Sequence, residues 1–169
     1  ENGIPSDYPT RVVREDPYRE GLLYAGTEFG LFISFDDGKS WKPFQQNLPI
    51  TPVTDIKVHR KDLAVSTMGR GFWIMDNISP LHHWESIVEN KSDGLFRPRD
   101  TYRYRRIGDS EIGSVPDYSY PGVIIDYFIN EQSAGDITIE ILNSTGKIVR
   151  KYTSAVSEGD ERSATFMGT

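Results

Sequence analysis

Residues Ser34 to Trp41 read SFDDGKSW and follow directly on the apolar run GLFI at residues 30–33. They place two adjacent carboxylates and two hydroxyls beside a glycine and a tryptophan. The spacing suits a tight turn between two strands. A strand ends near Phe35, Asp36 accepts N–H bonds from the backbone ahead of it, and Gly38 supplies φ > 0. Trp41 is expected to return into the core at the start of the next strand. Ser34, Asp36, Gly38, Ser40 and Trp41 are then structural. Catalysis by the Asp36 and Asp37 pair is disfavoured, because adjacent residues on a tight turn do not converge on one substrate atom. A calcium loop is disfavoured too, since the D-x-[DN]-x-[DN]-G spacing is missing.

Outward from this turn, residues 11 to 76 contain an imperfect internal repeat. Thr10 aligns with Thr54, Leu23 with Leu63, Thr27 with Thr67, Gly30 with Gly71 and Ile33 with Ile74. The period is about 40 residues, as in propeller blades. Each copy holds short runs of strand composition, RVV, LLYAGT and GLFISF, then DIKV, LAVST and GFWIM, bounded by Gly, Pro and Asp. SWKPFQ supplies a fourth strand to the first copy, matching the four strands of a blade. Two blades cannot close a propeller, so this region is expected to be an incomplete one.

Beyond the repeat, SPLHHWESIVENK predicts a short helix over about residues 79–90, with Ser79 as cap, Pro80 in the first turn, and Leu81, Trp84, Ile87 and Val88 on one face. Residues 94–120, spaced by Pro and Gly, read as an extended linker. From residue 121 the alternation returns in GVIIDYFI, DITIEIL and KIVRKYT, the last two joined by the turn NSTG. This is part of a β-sandwich, short of the roughly seven strands a complete one needs. The expected organisation is therefore all-β: blades with a terminal helix in 1–93, a linker in 94–120, and a partial sandwich in 121–169.

Composition is that of a globular chain, with 37% apolar residues among 169. The net charge of −6 argues against general nucleic-acid binding, which needs a basic surface. No run approaches the roughly 18 apolar residues of a membrane span. The start ENGIPSDYPT, with no initiating Met and no leader pattern, reads as that of a mature piece or a fragment. The absence of cysteine removes disulfides, thiolate nucleophiles and Cys-ligated zinc. Three N-x-[ST] triplets begin at Asn77, Asn90 and Asn143 and matter only in a glycosylating pathway. His82 and His83 are adjacent on the expected helix and make a poor metal pair, and His59 stands alone. No nucleophile elbow or phosphate loop is present, so no catalytic residue, metal or cofactor is assigned.

On SFDDGKSW the chain resembles the Asp-box, or BNR-repeat, β-propellers of sialidases, xyloglucanase-like glycosidases and sortilin-type receptors. LLYAGTEFGLFISFDDGKSW, MGRGFWIMDNISPL, LFRPRDTYRYR and PGVIIDYFI together resemble the C-terminal part of large bacterial sortilin-like or glycosyl-hydrolase-like proteins. The resemblance implies a propeller followed by an immunoglobulin-like sandwich and an extracytoplasmic or secreted location. It also implies the rest of the propeller as partner, with a peptide or glycan ligand. The second copy departs from the motif, because IMDNISPL lacks its Ser, Gly and Trp.

An Asp-box turn joins strands three and four and so shares an end with the turn between strands one and two. Ligands are then expected at the other end, on the turns TEFG (Thr27 to Gly30) and TMGRG (Thr67 to Gly71). These present Glu28, Phe29, Met68 and Arg70. Arg70, between two glycines, suits a bidentate carboxylate, or else it pairs with an acid of a neighbouring blade. A glycosidase is the rival expectation. It needs two carboxylates about 5 to 9.5 Å apart, and Glu28 is the one candidate offered by these turns. The basic stripe RPRDTYRYRR could bind an anionic polymer, but in an acidic chain it is read as pairing with the propeller's acids.

Overall fold

The computed structural model describes residues 2–90, 93–102, 122–130 and 135–154. Every sheet is antiparallel and none closes into a barrel among the described residues, so the chain is all-β. It divides into two compact units, Glu1–Phe128 and Ile129–Thr169.

The first unit opens with a four-stranded meander in the order β1-β2-β3-β4: β1 Thr10–Glu15, β2 Leu23–Thr27, β3 Gly30–Ser34 and β4 Lys42–Pro43. The fourth strand is shorter than SWKPFQ suggested, because Pro43 lies opposite Phe32 and has no N–H to give to the ladder. Trp41 also differs from expectation. It does not enter the core but lies half-buried beside Gly38, while Phe44 fills the core position. An indole spans the turn from outside, and the smaller benzyl ring three residues on fits between the sheets.

A three-stranded meander follows, β5 Val53–His59, β6 Asp62–Thr67 and β7 Phe72–Met75. It repeats β1 to β3 in register. Thr27 pairs with Gly30 and Thr10, and Ser66 to Met75 repeat that pattern with irregularities at matching places, between Thr10 and Val12 in one sheet and between Val53 and Asp55 in the other. Since Thr10 pairs with Thr27 and Val53 with Thr67, the counterpart of Thr10 is Val53, one residue before the Thr54 that sequence alignment selects. Hydrophobic lettering could not locate the irregularity that absorbs the extra residue.

The two sheets stack through β1, β2 and β5. Val12, Tyr24, Leu31 and Ile33 of the first sheet meet Val53, Ile56, Val58, Leu63 and Val65 of the second in one core. Complete burial of a side chain such as Ile56 is worth about 1.5–3 kcal/mol. Gly26 sets the closest approach: a Cβ there would lie 2.4 Å from Val53 Cγ1. The stacking is face to back. Leu31 and Ile33 are covered by the second sheet, whereas their counterparts Phe72 and Ile74 are 83% and 59% exposed.

After β7 a 3₁₀ helix, Ser79–His83, runs into a π-helical turn, Glu85–Glu89. The expected apolar face is turned inward, with Leu81 buried and Trp84, Ile87 and Val88 half-buried, but the segment is not α-helical. Pro80 leaves no N–H for the first turn, and the opening bond is the short-range one from Leu81 N–H to Ile78 O, 3.0 Å. Ser79 does not cap. Ile78 occupies that position, and Ser79 Oγ is buried without a hydrogen-bond partner.

Part of the expected linker and part of the expected sandwich pair with each other inside the first unit, as β8 Gly94–Leu95 and β9 Tyr127–Phe128. GVIIDYFI thus forms two residues of ladder among the described ones. The second unit contains the hairpin β10 Thr138–Leu142 and β11 Ile148–Thr153. Its turn is closed by Asn143 Oδ1, which accepts from the N–H groups of Thr145 and Lys147 at 3.0 and 2.9 Å. Gly146 takes φ 81. Arg103, Arg105 and Arg106 of the basic stripe, most of the expected linker and the polar tail from residue 155 lie outside the described residues. No described helix is long and apolar enough to cross a membrane.

Candidate functional site

Ser34 to Trp41 form a clasp closed by its own side chains. Asp36 Oδ1 accepts from Ser34 Oγ and from Ser40 N–H, both at 2.8 Å, and Oδ2 accepts from Ser40 Oγ at 2.5 Å. Ser34 Oγ in turn accepts from Gly38 N–H at 2.9 Å. Asp37 and Gly38 take φ 59 and 78, the left-handed turn that the sequence assigned to Gly38 alone. These bonds from Ser40 and Ser34 hold the Asp36 carboxyl down at about 2. A carboxylate so engaged is committed to its own turn, with both oxygens accepting from it. Asp37 donates its N–H to Gly21 O at 2.9 Å, which puts the clasp and the β1–β2 turn at one end of the sheet.

The opposite end carries the two turns singled out for ligands, and they are built alike. Thr27 Oγ1 donates to Gly30 O and accepts from Phe29 N–H; Thr67 Oγ1 donates to Gly71 O and accepts from Arg70 N–H. Gly26 against Val53 brings the turns to the same end of the stacked sheets, since Gly26 precedes Thr27 and Val53 pairs with Thr67.

The four side chains fare differently. Glu28 is taken, its Oε1 accepting from Arg11 Nε at 2.7 Å. Phe29 is 43% exposed, its ring 4.6 Å from that of Tyr8. Met68 is 56% exposed, anchored through its N–H to Pro52 O. Arg70 is exposed, and its guanidinium makes no ion pair with a described residue, so the interblade pairing considered for it is not seen among them. Its backbone is fixed instead, with the carbonyl accepting from Trp73 Nε1 at 3.0 Å. A Cβ at Gly69 or Gly71 would meet nothing within 4 Å, so both glycines serve their positive φ and leave open space around Arg70. The geometry holds a solvated cation on a fixed backbone, with a thioether and an aromatic ring on the same end.

Sequence reasoning missed a buried polar cluster. Asp16, 2% exposed, accepts from Tyr18 N–H at 2.8 Å and from Tyr24 OH at 3.1 Å, and lies 3.1 Å from His82 Nε2. Burial pushes its carboxyl up, but the bonds from His82, Tyr18 and Tyr24 and the charge of His82 outweigh it and leave the group below its ordinary value. Tyr24 is pushed up by burial and by the Asp16 charge. Arg19 binds the same segment, donating to Leu81 O at 2.6 Å and pairing with Glu85 at 3.0 Å, and it sits over the Phe35 ring that stacks on Trp84. The cluster fixes the 3₁₀ segment to the first sheet. Its one legible signal was Asp16 followed by Pro17, a turn-forming pair.

A second cluster holds the strand pair β8–β9. Asp62 Oδ1 accepts from Asn77 N–H at 2.9 Å and from Arg99, and Asn77 Nδ2 donates to Asp126 at 2.8 Å. Burial raises the Asp126 carboxyl, while the Asn77 bond pulls it the other way. Arg99 thus pairs with a sheet acid, as the basic stripe was read to do. Asn77 is buried and occupied, out of reach of a modifying enzyme, whereas Asn90 and Asn143 are exposed. His82 faces Asp16 and His83 faces solvent, so the two do not converge. Among the described residues no group of three or more His, Cys, Asp or Glu is placed to hold a metal ion.

Comparison with models of known protein families, with curated proteins and with solved structures gives no match.

Proposed function

We propose that residues 1–93 are the last blades of an Asp-box β-propeller, and that 94–120 connect them to an immunoglobulin-like sandwich beginning near 121. The parent is an extracytoplasmic protein that binds a peptide or glycan across the propeller face. Two features support the architecture. The Ser34–Asp36–Ser40 clasp makes the bonds its motif calls for, and the face-to-back stacking leaves Phe72 and Ile74 placed for a further sheet as Leu31 and Ile33 are for the second.

The observation that carries the binding role is Arg70: exposed, flanked by open space, fixed by its backbone and located opposite the clasp. A guanidinium so held recognises a carboxylate through two parallel bonds, and Met68 and Phe29 supply apolar area beside it. Acidic sugars and peptide carboxyl termini both carry such a group. Glu28 contributes by holding Arg11, whose Nε donates to its Oε1 at 2.7 Å.

The test is an array of acidic and neutral glycans and of peptides with free or amidated carboxyl termini, probed with the protein, Arg70→Ala and Glu28→Gln, with hydrolysis of each glycan followed in parallel. Arg70→Ala is expected to lose binding to the carboxylate-bearing members alone. Unchanged binding in both variants would discard the face assignment, and turnover abolished by Glu28→Gln would favour a glycosidase.

A further inference from the structure

The first sheet has four strands and the second, which repeats it, has three among the described residues. The outer edge of β3 shows what belongs at the outer edge of β7. Leu31 O accepts from Phe44 N–H at 2.8 Å, and Leu31 N–H donates to Gln45 Oε1 at 3.1 Å, so both outward groups of Leu31 are satisfied by the chain that leaves β4. The counterpart of Leu31 is Phe72. Thr67 N–H bonds to Gly71 O at 3.1 Å, which fixes the phase of the β6–β7 ladder. Pairs alternate in an antiparallel ladder, so the N–H and C=O groups of Phe72 and Ile74 point away from β6, to the open edge.

The same edge borders a cavity of about 230 Å³. Leu31, Phe44 and Leu48 line it from the first sheet and Leu63, Val65 and Trp73 from the second. It continues the interface the two sheets already make, since Leu31, Phe44, Leu48, Leu63 and Val65 also belong to the shared core. On the other side of β7, Phe72 and Ile74 form an exposed apolar strip. An edge without a strand partner among the described residues, with apolar area on both faces, is a template for strand addition.

We propose that β7 accepts an extended strand from a separate peptide with the chemistry of Trp41–Leu48. It lies antiparallel on β7 as β4 lies on β3. One residue donates its N–H to Phe72 O and sets an aromatic side chain on the Phe72 and Ile74 side of the sheet, as Phe44 bonds to Leu31 O and shares the core with Leu31 and Ile33. The residue before it, the counterpart of Pro43, faces the cavity beside Trp73. A glutamine after the aromatic reaches back to Phe72 N–H. This edge is distinct from the Arg70 end and does not depend on the carboxylate reading.

A labelled synthetic peptide, SWKPFQQNLP (residues 40–49), titrated into the protein and followed by fluorescence anisotropy tests this. Saturable one-to-one binding is expected, weakened at least about tenfold by Ile74→Pro, which deletes an outward N–H and spares the β6–β7 ladder. A peptide N-methylated at the residue corresponding to Phe44 is expected to lose the same factor and needs no change in the protein. Absence of binding, or binding indifferent to both changes, overturns the proposal. So does a concentration-dependent dimer in sedimentation that Ile74→Pro abolishes, since the occupant would then be a second copy.

Discussion

Replacing Asp16 by alanine is expected to be among the most damaging single changes outside the apolar core. Its carboxylate is buried and serves three donors: the Tyr18 N–H, the Tyr24 hydroxyl, which is itself fully buried, and His82 Nε2. Removing one member of such a set leaves the others desolvated and unpaired. Each orphaned group costs about 1–3 kcal/mol, and loss of one partner from a buried charged pair costs about 3–5 kcal/mol. The expected loss is therefore about 3–5 kcal/mol, or on the order of 10–20 °C in melting temperature for a unit of this size. Asp16→Asn keeps one acceptor and should lose about 1–2 kcal/mol. Tyr24→Phe should cost about 1 kcal/mol in the native background and almost nothing in Asp16→Ala, where its hydroxyl has no acceptor.

The acid side follows from the direction of the Asp16 shift. Its carboxyl is lower in the folded chain than in the unfolded one, so the stabilisation is complete above the unfolded value near 3.9 and is lost as pH falls through the folded value. Urea unfolding of the protein and the three variants, followed by tryptophan fluorescence between pH 7 and pH 3, measures all of this. An Asp16→Ala midpoint equal to that of the parent, or zero coupling between Asp16 and Tyr24, would refute the cluster as a fastening of the 3₁₀ segment.

Asp36→Ala should lower the melting temperature and speed amide exchange at Gly38 and Ser40, leaving binding per folded molecule unchanged. Because the Asp36 carboxyl is held at about 2, the contribution lost in that variant is present above its unfolded value and fades as pH falls toward 2. Gly26→Ala should destabilise by about 1–3 kcal/mol, because its Cβ would sit 2.4 Å from Val53 Cγ1, and Val53→Ala should relieve part of the loss; additive effects in chemical denaturation would argue against this contact. Arg70→Ala should leave the melting temperature within about 0.5 kcal/mol of the parent, as expected of an exposed side chain without an ion pair, and a larger change would reveal a structural role.

The turns were the most legible part of the molecule, because a turn is a local problem. Ser34, Asp36, Gly38 and Ser40 lie within seven residues and satisfy one another, so their spacing alone specified the clasp. The same holds for Asn143 in the hairpin of the second unit. Trp41 was misplaced because sequence gives an aromatic residue beside a turn no depth; only the separation of the two sheets shows that Phe44, not Trp41, fits between them. The expected cap at Ser79 failed for a related reason, since the fold buries that residue before its hydroxyl can serve the backbone.

The candidate site divides along the same line. Sequence placed Glu28, Phe29, Met68 and Arg70 on two equivalent turns, because the repeat itself encodes the Thr–Gly pair that builds each one. It could not assign Glu28 to Arg11 or leave Arg70 open, as those outcomes depend on which side chains tertiary packing brings within reach. Asp16, Tyr24 and His82 were illegible altogether: up to 66 residues separate them, and nothing local marks a carboxylate as the future centre of a buried cluster. By itself, then, the sequence determined strands, turns and their repetition, which are short-range consequences of backbone stereochemistry and alternation. The tertiary structure decided which polar groups are buried together, which sheet face is covered and which edge stays open, because those depend on how two sheets with nearly the same pattern come to lie on one another.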